Sequence, residues 1–249
     1  MVSEYICGVN AVFEAIRAGK RRVFEVYIAG GKKQNTAQSI ADLAKRQKIP
    51  VHFVERQRIK ELSKVEKNQG VSAKVAPFEY STVDFIVNSL KSGGLGGFVV
   101  LLDEILDPQN LGSLIRTAHL TGASGVILPK DRAASIGPAA ARASAGATEY
   151  LPIARVTNVA NVLKMMKDKG FWIVGAAGES NKTLYDYDFT GSPHVLVLGG
   201  EGKGIRRLVR ENCDAILSIP MKGEVGSYNV SVAGAIFMSE VARQLRKKT

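Results

Sequence analysis

The sequence predicts an α/β protein in which a mainly parallel sheet, covered by helices on both faces, is preceded by a smaller α/β unit. Three observations predict it. Helical and strand-like periodicities alternate along the whole of the 249-residue chain. The strand-like runs are short and almost continuously apolar, as strands buried on both faces must be. The charge is divided unevenly: residues 1–76 hold 15 Lys/Arg against 7 Asp/Glu, so they carry +8 of the net +11 and leave +3 for the rest.

In the first third, GVNAVFEAIRA gives a helix near 8–18 and VFEVYIA a strand at 23–29. A helix near 36–48, a strand at 51–54 (VHFV) and a helix near 57–63 complete a small unit. The segment 77–97 ends in SGGLGG, whose glycines mark a flexible connection. The chain therefore divides into a basic unit at 1–76, a linker at 77–97 and a larger domain at 98–249. In the larger domain, strands at 98–103, 124–128, 171–176, 194–199 and 214–219 alternate with helices near 110–121, 138–146, 157–169, 204–212 and 229–246. The composition is that of a globular protein with no internal repeat. Neither an 18-residue apolar run nor a signal-peptide pattern is present, so a cytoplasmic protein free of membrane is expected. Cys7 and Cys213 lie far apart, with no CxxC and no Cys/His cluster. They read as small buried residues, and no metal site is expected.

A basic N-terminal third beside a nearly neutral remainder reads as an electrostatic handle for nucleic acid, the other reading being a lysine-rich solvated surface. Lys20-Arg21-Arg22 and Lys32-Lys33 are the candidate phosphate contacts. As a basic module without stacking aromatics, it is expected to recognise RNA shape and backbone more than base sequence.

Ligands of an open parallel sheet bind outside the carboxyl ends of its strands, and three predicted strand ends carry unusual residues. The first is DPQNLGSLIRTA at 107–118. Leu111, Leu114, Ile115 and Ala118 form its core stripe, Asn110 is placed at or near the N-cap, and Arg116 points off the stripe. Taken alone, Arg116 is a solvated surface arginine. The second is LGGEGKGI at 198–205, with four glycines around Glu201 and Lys203. It satisfies neither G-x-G-x-x-G nor G-x-x-x-x-G-K-[ST], which weakens a dinucleotide or phosphate-loop reading. The third is IPMKGEVGSYNVSVA at 219–233, where Ser227, Asn229 and Ser231 open a helix and Ser227 could be its cap.

Together, in this order, the three motifs resemble the signatures of the SpoU branch of the SPOUT RNA methyltransferases, enzymes that methylate a ribose 2′-hydroxyl with S-adenosylmethionine. GVNAVFEAIRAG and NQGVSAKV also resemble the small RNA-binding domain of the family's ribosomal RNA guanosine methyltransferases, so the likeness spans nearly the whole chain. It implies a C-terminal α/β-knot, in which the chain threads a deep trefoil knot that binds the cofactor. By position it assigns Gly199, Gly200, Ile219, Met221 and Tyr228 to S-adenosylmethionine. Asn110, Arg116, Glu201, Ser227 and Asn229 become the catalytic set, with Asn110 orienting Arg116 or a ribose oxygen and Glu201 bracing the arginine or a backbone loop. It further implies a homodimer in which Arg116 works on cofactor held by the other subunit. The family commonly has leucine where this chain has Tyr228, and histidine where it has Asn68. Because arginine stays protonated in proteins, Arg116 is expected to act as a cationic clamp rather than as the base. A guanosine of 23S ribosomal RNA is the expected target. Transfer RNA, a non-catalytic ribosomal-RNA-binding or assembly role, and a dinucleotide-dependent enzyme are the alternatives.

Overall fold

A computed structural model describes residues 2–30, 35–91 and 97–246. In chain order the elements are β1 (Glu4–Cys7), α1 (Val9–Ala18), β2 (Val23–Ala29), α2 (Asn35–Arg46), β3 (Val51–Val54), α3 (Arg56–Ser63), β4 (Val71–Val75) and α4 (Val83–Lys91). There follow β5 (Gly97–Asp103), α5 (Pro108–Leu120), β6 (Val126–Pro129), α6 (Pro138–Ala143), β7 (Ile153–Val156), α7 (Val159–Asp168), β8 (Trp172–Ala176), β9 (Pro193–Gly199), α8 (Arg207–Arg210), β10 (Ala215–Leu217) and α9 (Val230–Arg246). The chain forms two compact units, the first comprising Met1–Glu79, Leu111–Arg116 and Ser135–Tyr150, the second the remainder.

The first unit is built on a four-stranded sheet of order β1-β4-β2-β3, with β4 antiparallel to both neighbours and β2 parallel to β3. Alternation sends Ile6, Val26, Ile28, Val71, Ala73 and Val75 to one face, where they meet Val12, Ala15 and Ile16 of α1 and Ile40, Ala41 and Ala44 of α2. Each such side chain, removed from water, contributes about 1–3 kcal/mol before entropy is charged against it. Gly19 ends α1 in the left-handed conformation, φ 61°, with its N–H on the carbonyl of Ala15. Ala141 of α6 joins the same core. Asn68 is buried, its Oδ1 accepting the Gly70 N–H at 3.0 Å and its amide donating to the Val65 carbonyl, so it shapes the turn into β4. Gly112 of α5 lies hard against α6, because a Cβ there would stand 2.5 Å from the Ala140 carbonyl oxygen.

Arg21 does not meet the expectation of a phosphate contact. Its side chain is only 7% exposed and pairs with Glu149, itself 3% exposed, at 2.7 Å and with Glu4 at 2.6 Å. A guanidinium committed to two carboxylates has no face to offer a phosphate. Nearby, the Tyr150 hydroxyl donates to Glu14 at 2.5 Å and Lys20 Nζ to the Tyr150 carbonyl at 3.1 Å. Arg22 is exposed, its guanidinium 5.2 Å from the centre of the Phe24 ring. Lys32 and Lys33 lie outside the described residues.

The second unit is a six-stranded, wholly parallel sheet of order β10-β8-β9-β5-β6-β7. Val99 and Leu101 of β5 and Val195 and Val197 of β9 form the centre of a core completed by Ile86, Val87 and Leu90 of α4 and Leu163 and Met166 of α7. The segment read as a linker therefore contains a packed helix. Val83, Ile86, Val87 and Leu90 follow the i, i+3, i+4, i+7 spacing and form the stripe that packs on this core, with Phe85 exposed off it, so the helix has an ordinary periodic signal just before the glycines. Residues 92–96, most of SGGLGG, lie outside the described residues. The helix expected at 204–212 is a single turn, Arg207–Arg210, because Gly202 and Gly204 take φ 81° and 63° in the preceding loop. Among the described residues no helix is long and apolar enough to cross a membrane.

The buried Arg21 pair yields the first prediction. Arg21→Met should destabilise the protein by about 3–5 kcal/mol, because it leaves the Glu149 carboxylate buried without a partner. Arg21→Met with Glu149→Gln should recover a large part of that loss. Denaturant midpoints of the two variants and the wild type check this, and a single variant as stable as wild type would sink it.

Candidate active site

In the second unit, β5 and β9 lie side by side with Asp103 paired to Gly199 at their carboxyl ends. From β5 the chain moves to one side of the sheet through β6 and β7, whereas β8, β9 and β10 fill the other. The carboxyl ends of β5 and β9 thus form the crevice where such sheets place ligands.

Three local features shape that crevice. Asp103 is fully buried, and its carboxylate accepts from Arg206 three times: from the backbone N–H at 3.0 Å, Nε at 2.8 Å and Nη2 at 2.5 Å. It thereby fixes the residue that follows the glycine turn. Gly199 and Gly200 leave no room for side chains. A Cβ on Gly199 would sit 2.1 Å from the Gly204 carbonyl carbon, and one on Gly200 would sit 2.5 Å from the Glu104 carbonyl oxygen. The turn closes with Gly204 N–H on the Gly200 carbonyl at 3.0 Å and holds Glu201 at its exposed tip. On the β5 side, Asp107 caps α5, its carboxylate accepting from the N–H groups of Gln109 and Asn110 at 3.2 and 3.0 Å, with Pro108 in the first turn.

Asn110 is therefore not the cap. Its side chain, freed from the backbone, donates from Nδ2 to Glu201 Oε1 at 2.8 Å. Asn229 Nδ2 donates to the same oxygen at 2.9 Å and to Asn110 Oδ1 at 3.2 Å. Asn229 Oδ1 accepts from the Ser231 N–H at 2.9 Å and hydroxyl at 2.6 Å, so Asn229, not Ser227, caps α9. One carboxylate and two amides from three separate motifs form a single hydrogen-bonded cluster. Glu201 thus braces two asparagines rather than the arginine, and Asn110 orients Glu201 and Asn229.

A cavity of about 720 Å³ opens beside the cluster. Gly199, Gly200, Ile219, Met221 and Tyr228, the five residues expected to hold cofactor, all line it, together with Glu201, Ser227 and Asn229. Sequence reasoning missed the residues after β8, Ala177 to Glu179, and Ala233 and Phe237 of α9. Glu179 bonds Arg210, which holds its carboxyl below the usual carboxylate range. The only signal for them was the small, polar AAGES that ends an apolar strand.

Arg116 stands on α5 six residues beyond Asn110, roughly 9 Å along the helix and 240° around it. It is exposed, off the buried stripe of Leu111, Leu114, Ile115 and Ala118 as expected, and makes no hydrogen bond or ion pair among the described residues. Burial pushes the Cys213 thiol up to about 12 and also raises Cys7, so neither is poised to act as a nucleophile. Among the described residues no group of three or more His, Cys, Asp or Glu is placed to hold a metal ion.

Residues 97–239 match the SpoU rRNA Methylase family, and residues 5–81 match a domain described as RNA 2′-O ribose methyltransferase substrate binding. The 23S rRNA (guanosine-2′-O-)-methyltransferase RlmB of Escherichia coli K12 is 38% identical over 246 residues, 98% of this chain and 99% of that one. The RlmB of Pseudomonas aeruginosa is 39% identical over 241 residues, 97% of this chain and 96% of its own. Among solved structures, the SpoU methyltransferase AviRb from Streptomyces viridochromogenes, in complex with the cofactor AdoMet, superposes with a TM-score of 0.80. It is 27% identical, and the match covers 98% of this chain and 91% of that one. With a family match over more than half its length and relatives aligned end to end, the chain belongs to the SpoU rRNA methylase family.

Proposed function

We propose that this protein transfers a methyl group from S-adenosylmethionine to the ribose 2′-hydroxyl of a guanosine in 23S ribosomal RNA. The observation that carries the reading is the meeting of Asn110, Glu201 and Asn229, from three distant motifs, at the rim of one cavity. The substrate follows from the relatives' named activity, from the substrate-binding match over residues 5–81 and from the +8 charge of residues 1–76. Action on ribosomal RNA supports a cytoplasmic location.

The cavity suits the cofactor. Its volume of about 720 Å³ falls within the range of small-molecule sites. Side-chain-free Gly199 and Gly200 expose backbone groups for polar contacts, and Ile219, Met221 and Phe237 give apolar walls for a planar base. Tyr228 widens the apolar wall where the family commonly has leucine. The loop from Ile219 to Asn229 and the glycine turn line the same cavity, which supports the threaded α/β-knot of the family.

S-adenosylmethionine supplies a methyl group already activated by its sulfonium. The protein must hold the ribose in line and favour negative charge on the attacking oxygen. Arg116, exposed and without a hydrogen bond or ion pair among the described residues, grips the substrate phosphate and stabilises that developing charge. Glu201 holds the Asn110 and Asn229 amides in one orientation, leaving the free edges of those amides and the Ser227 hydroxyl to position the ribose. We further infer a homodimer in which Arg116 of one subunit serves cofactor held by the other. Exposed Leu106, Leu120, Val225 and Val232 supply apolar surface for such a contact.

Mapping of 2′-O-methyl groups in ribosomal and transfer RNA, from cells with and without the protein, should lose one guanosine methylation in 23S RNA. Loss at a transfer-RNA position instead would refute the substrate. Arg116→Lys, which keeps the charge but loses the fork, should lower the single-turnover rate by roughly 10²-fold without moving the apparent pKa of the pH–rate profile; a shifted pKa would mean that arginine acts as the base. Co-expression of Arg116→Ala with Gly199→Ala chains should restore about a quarter of wild-type activity, because half of randomly paired dimers contain one intact shared site. No recovery above either variant alone would exclude the shared site.

A further inference from the structure

We propose that the outer face of the N-terminal sheet, where Tyr5, Tyr27 and His52 stand in a row, binds unpaired nucleobases of the substrate RNA by stacking. This rests on the reading that the protein acts on RNA. The expectation of a basic module without stacking aromatics is thereby replaced, because the sheet brings together rings that lie about 22 to 47 residues apart in the chain.

Strand register builds the row. Tyr27 of β2 lies across from His52 of β3 and Ser72 of β4, while Tyr5 of β1 lies across from Lys74 of β4. Their neighbours Ile6, Val26, Ile28, Ala73 and Val75 fill the core against α1 and α2, so the alternate residues stand on the opposite face. The rings are close enough to form one surface. Tyr5 and Tyr27 have centroids 6.2 Å apart at 52°, and Tyr27 and His52 are stacked at 5.1 Å and 27°.

The other side of that face is covered by α3, which packs on β1, β2 and β4 through buried Ile59 and Ser63. It makes no comparable contact with β3, the strand that carries His52. The His52 side chain remains 46% exposed, and Tyr5 and Tyr27 are half-buried. A sheet face that presents rings to solvent matches the chemistry of single-stranded RNA modules, in which bases splay out and stack on aromatic side chains.

Charge decides which part of the RNA the row receives. Glu25 accepts from the Tyr27 hydroxyl at 2.7 Å and faces Lys74 Nζ at 3.5 Å and His52 Nε2 at 3.2 Å. The carboxylate neutralises the lysine and would repel a phosphate, whereas an uncharged base meets no such penalty. Phosphates have other partners nearby in sequence. Arg56 at the start of α3, and Lys64 and Lys67 beyond it, are exposed and make no side-chain hydrogen bond or ion pair among the described residues. Aromatic rings with unpaired cations close by in sequence fit a looped-out base whose backbone runs on to either side.

The test compares the full-length wild type and variants with a hairpin RNA carrying an unpaired loop and with a blunt duplex of the same composition. His52→Ala should weaken hairpin binding at least about fivefold. It should leave duplex affinity, the salt dependence of binding and S-adenosylhomocysteine affinity unchanged, and His52→Phe should restore hairpin binding. The chain has three histidines, so the His52 ring protons can be followed by NMR and should move upfield on titration with the hairpin. Unchanged hairpin affinity in His52→Ala, with a loss in Arg56→Ala or Lys67→Ala, would overturn the stacking face while leaving the RNA methyltransferase reading intact. A change of oligomeric state in His52→Ala would overturn it in favour of a subunit contact. A wild type that binds S-adenosylhomocysteine but neither RNA would overturn this proposal and the RNA substrate together.

Discussion

The constraint on which the candidate site depends is the backbone approach at Gly199 and Gly200. Added side chains would stand 2.1 Å from Gly204 and 2.5 Å from Glu104, distances that no repacking of side chains can relieve because both obstacles are backbone. With those two glycines the end of β9 folds back tightly enough to put Glu201 within reach of both asparagines. A bulkier residue at either position would force the turn away from β5 and separate the carboxylate from Asn110. The buried Asp103 carboxylate works in the same direction by tying Arg206 to the end of β5. Burial of a charge costs several kcal/mol unless good hydrogen bonds offset it. Three bonds from one residue, including its backbone N–H, supply that offset and set the turn's exit.

From this follows a division of labour at the site. Asp107 satisfies the free N–H groups of α5, so Asn110 is released from capping and turns to Glu201. Asn229 does both tasks at once: its oxygen caps α9 while its nitrogen donates to Glu201. One short amide thereby couples the start of the last helix to the glycine turn. Asn110, Glu201 and Asn229 are each bonded to the other two, which holds the cluster in one arrangement at the rim of the cavity.

The first unit separates charge in a comparable way. Arg21, from the all-basic tripeptide Lys20-Arg21-Arg22, is used internally, because burying Glu149 requires a cation and its planar fork can meet Glu4 as well. Arg22, Arg56, Lys64 and Lys67 stay exposed. A sheet with α1 and α2 on one face and α3 over only part of the other leaves a strip of rings in solvent. The RNA recognition proposed for this unit therefore combines two chemistries, cations for phosphate and rings for bases.

Much of the fold was legible in the sequence, since continuous apolar runs such as FVVLL and VLVLG have few other ways to be buried. β1, β4 and β7 were missed because EYIC, VSAKV and IARV are short and contain polar or small residues, and their strand character comes from pairing. Candidate residues for the site came from the family that the three motifs resemble, and of these Asn110, Glu201 and Asn229 meet in the fold, while helical periodicity marked the core stripe beside Arg116. Which partner the Asn110 side chain takes, which arginine is buried and which rings share a face were decided only by tertiary structure. Each of those depends on partners that distant segments supply: a carboxylate from residue 149, an amide from residue 229, or a strand register that sets residue 5 beside residue 27. The sequence by itself determined the types of residue and their local periodicity; the folded chain alone decided which polar groups satisfied one another and so which remained free to act.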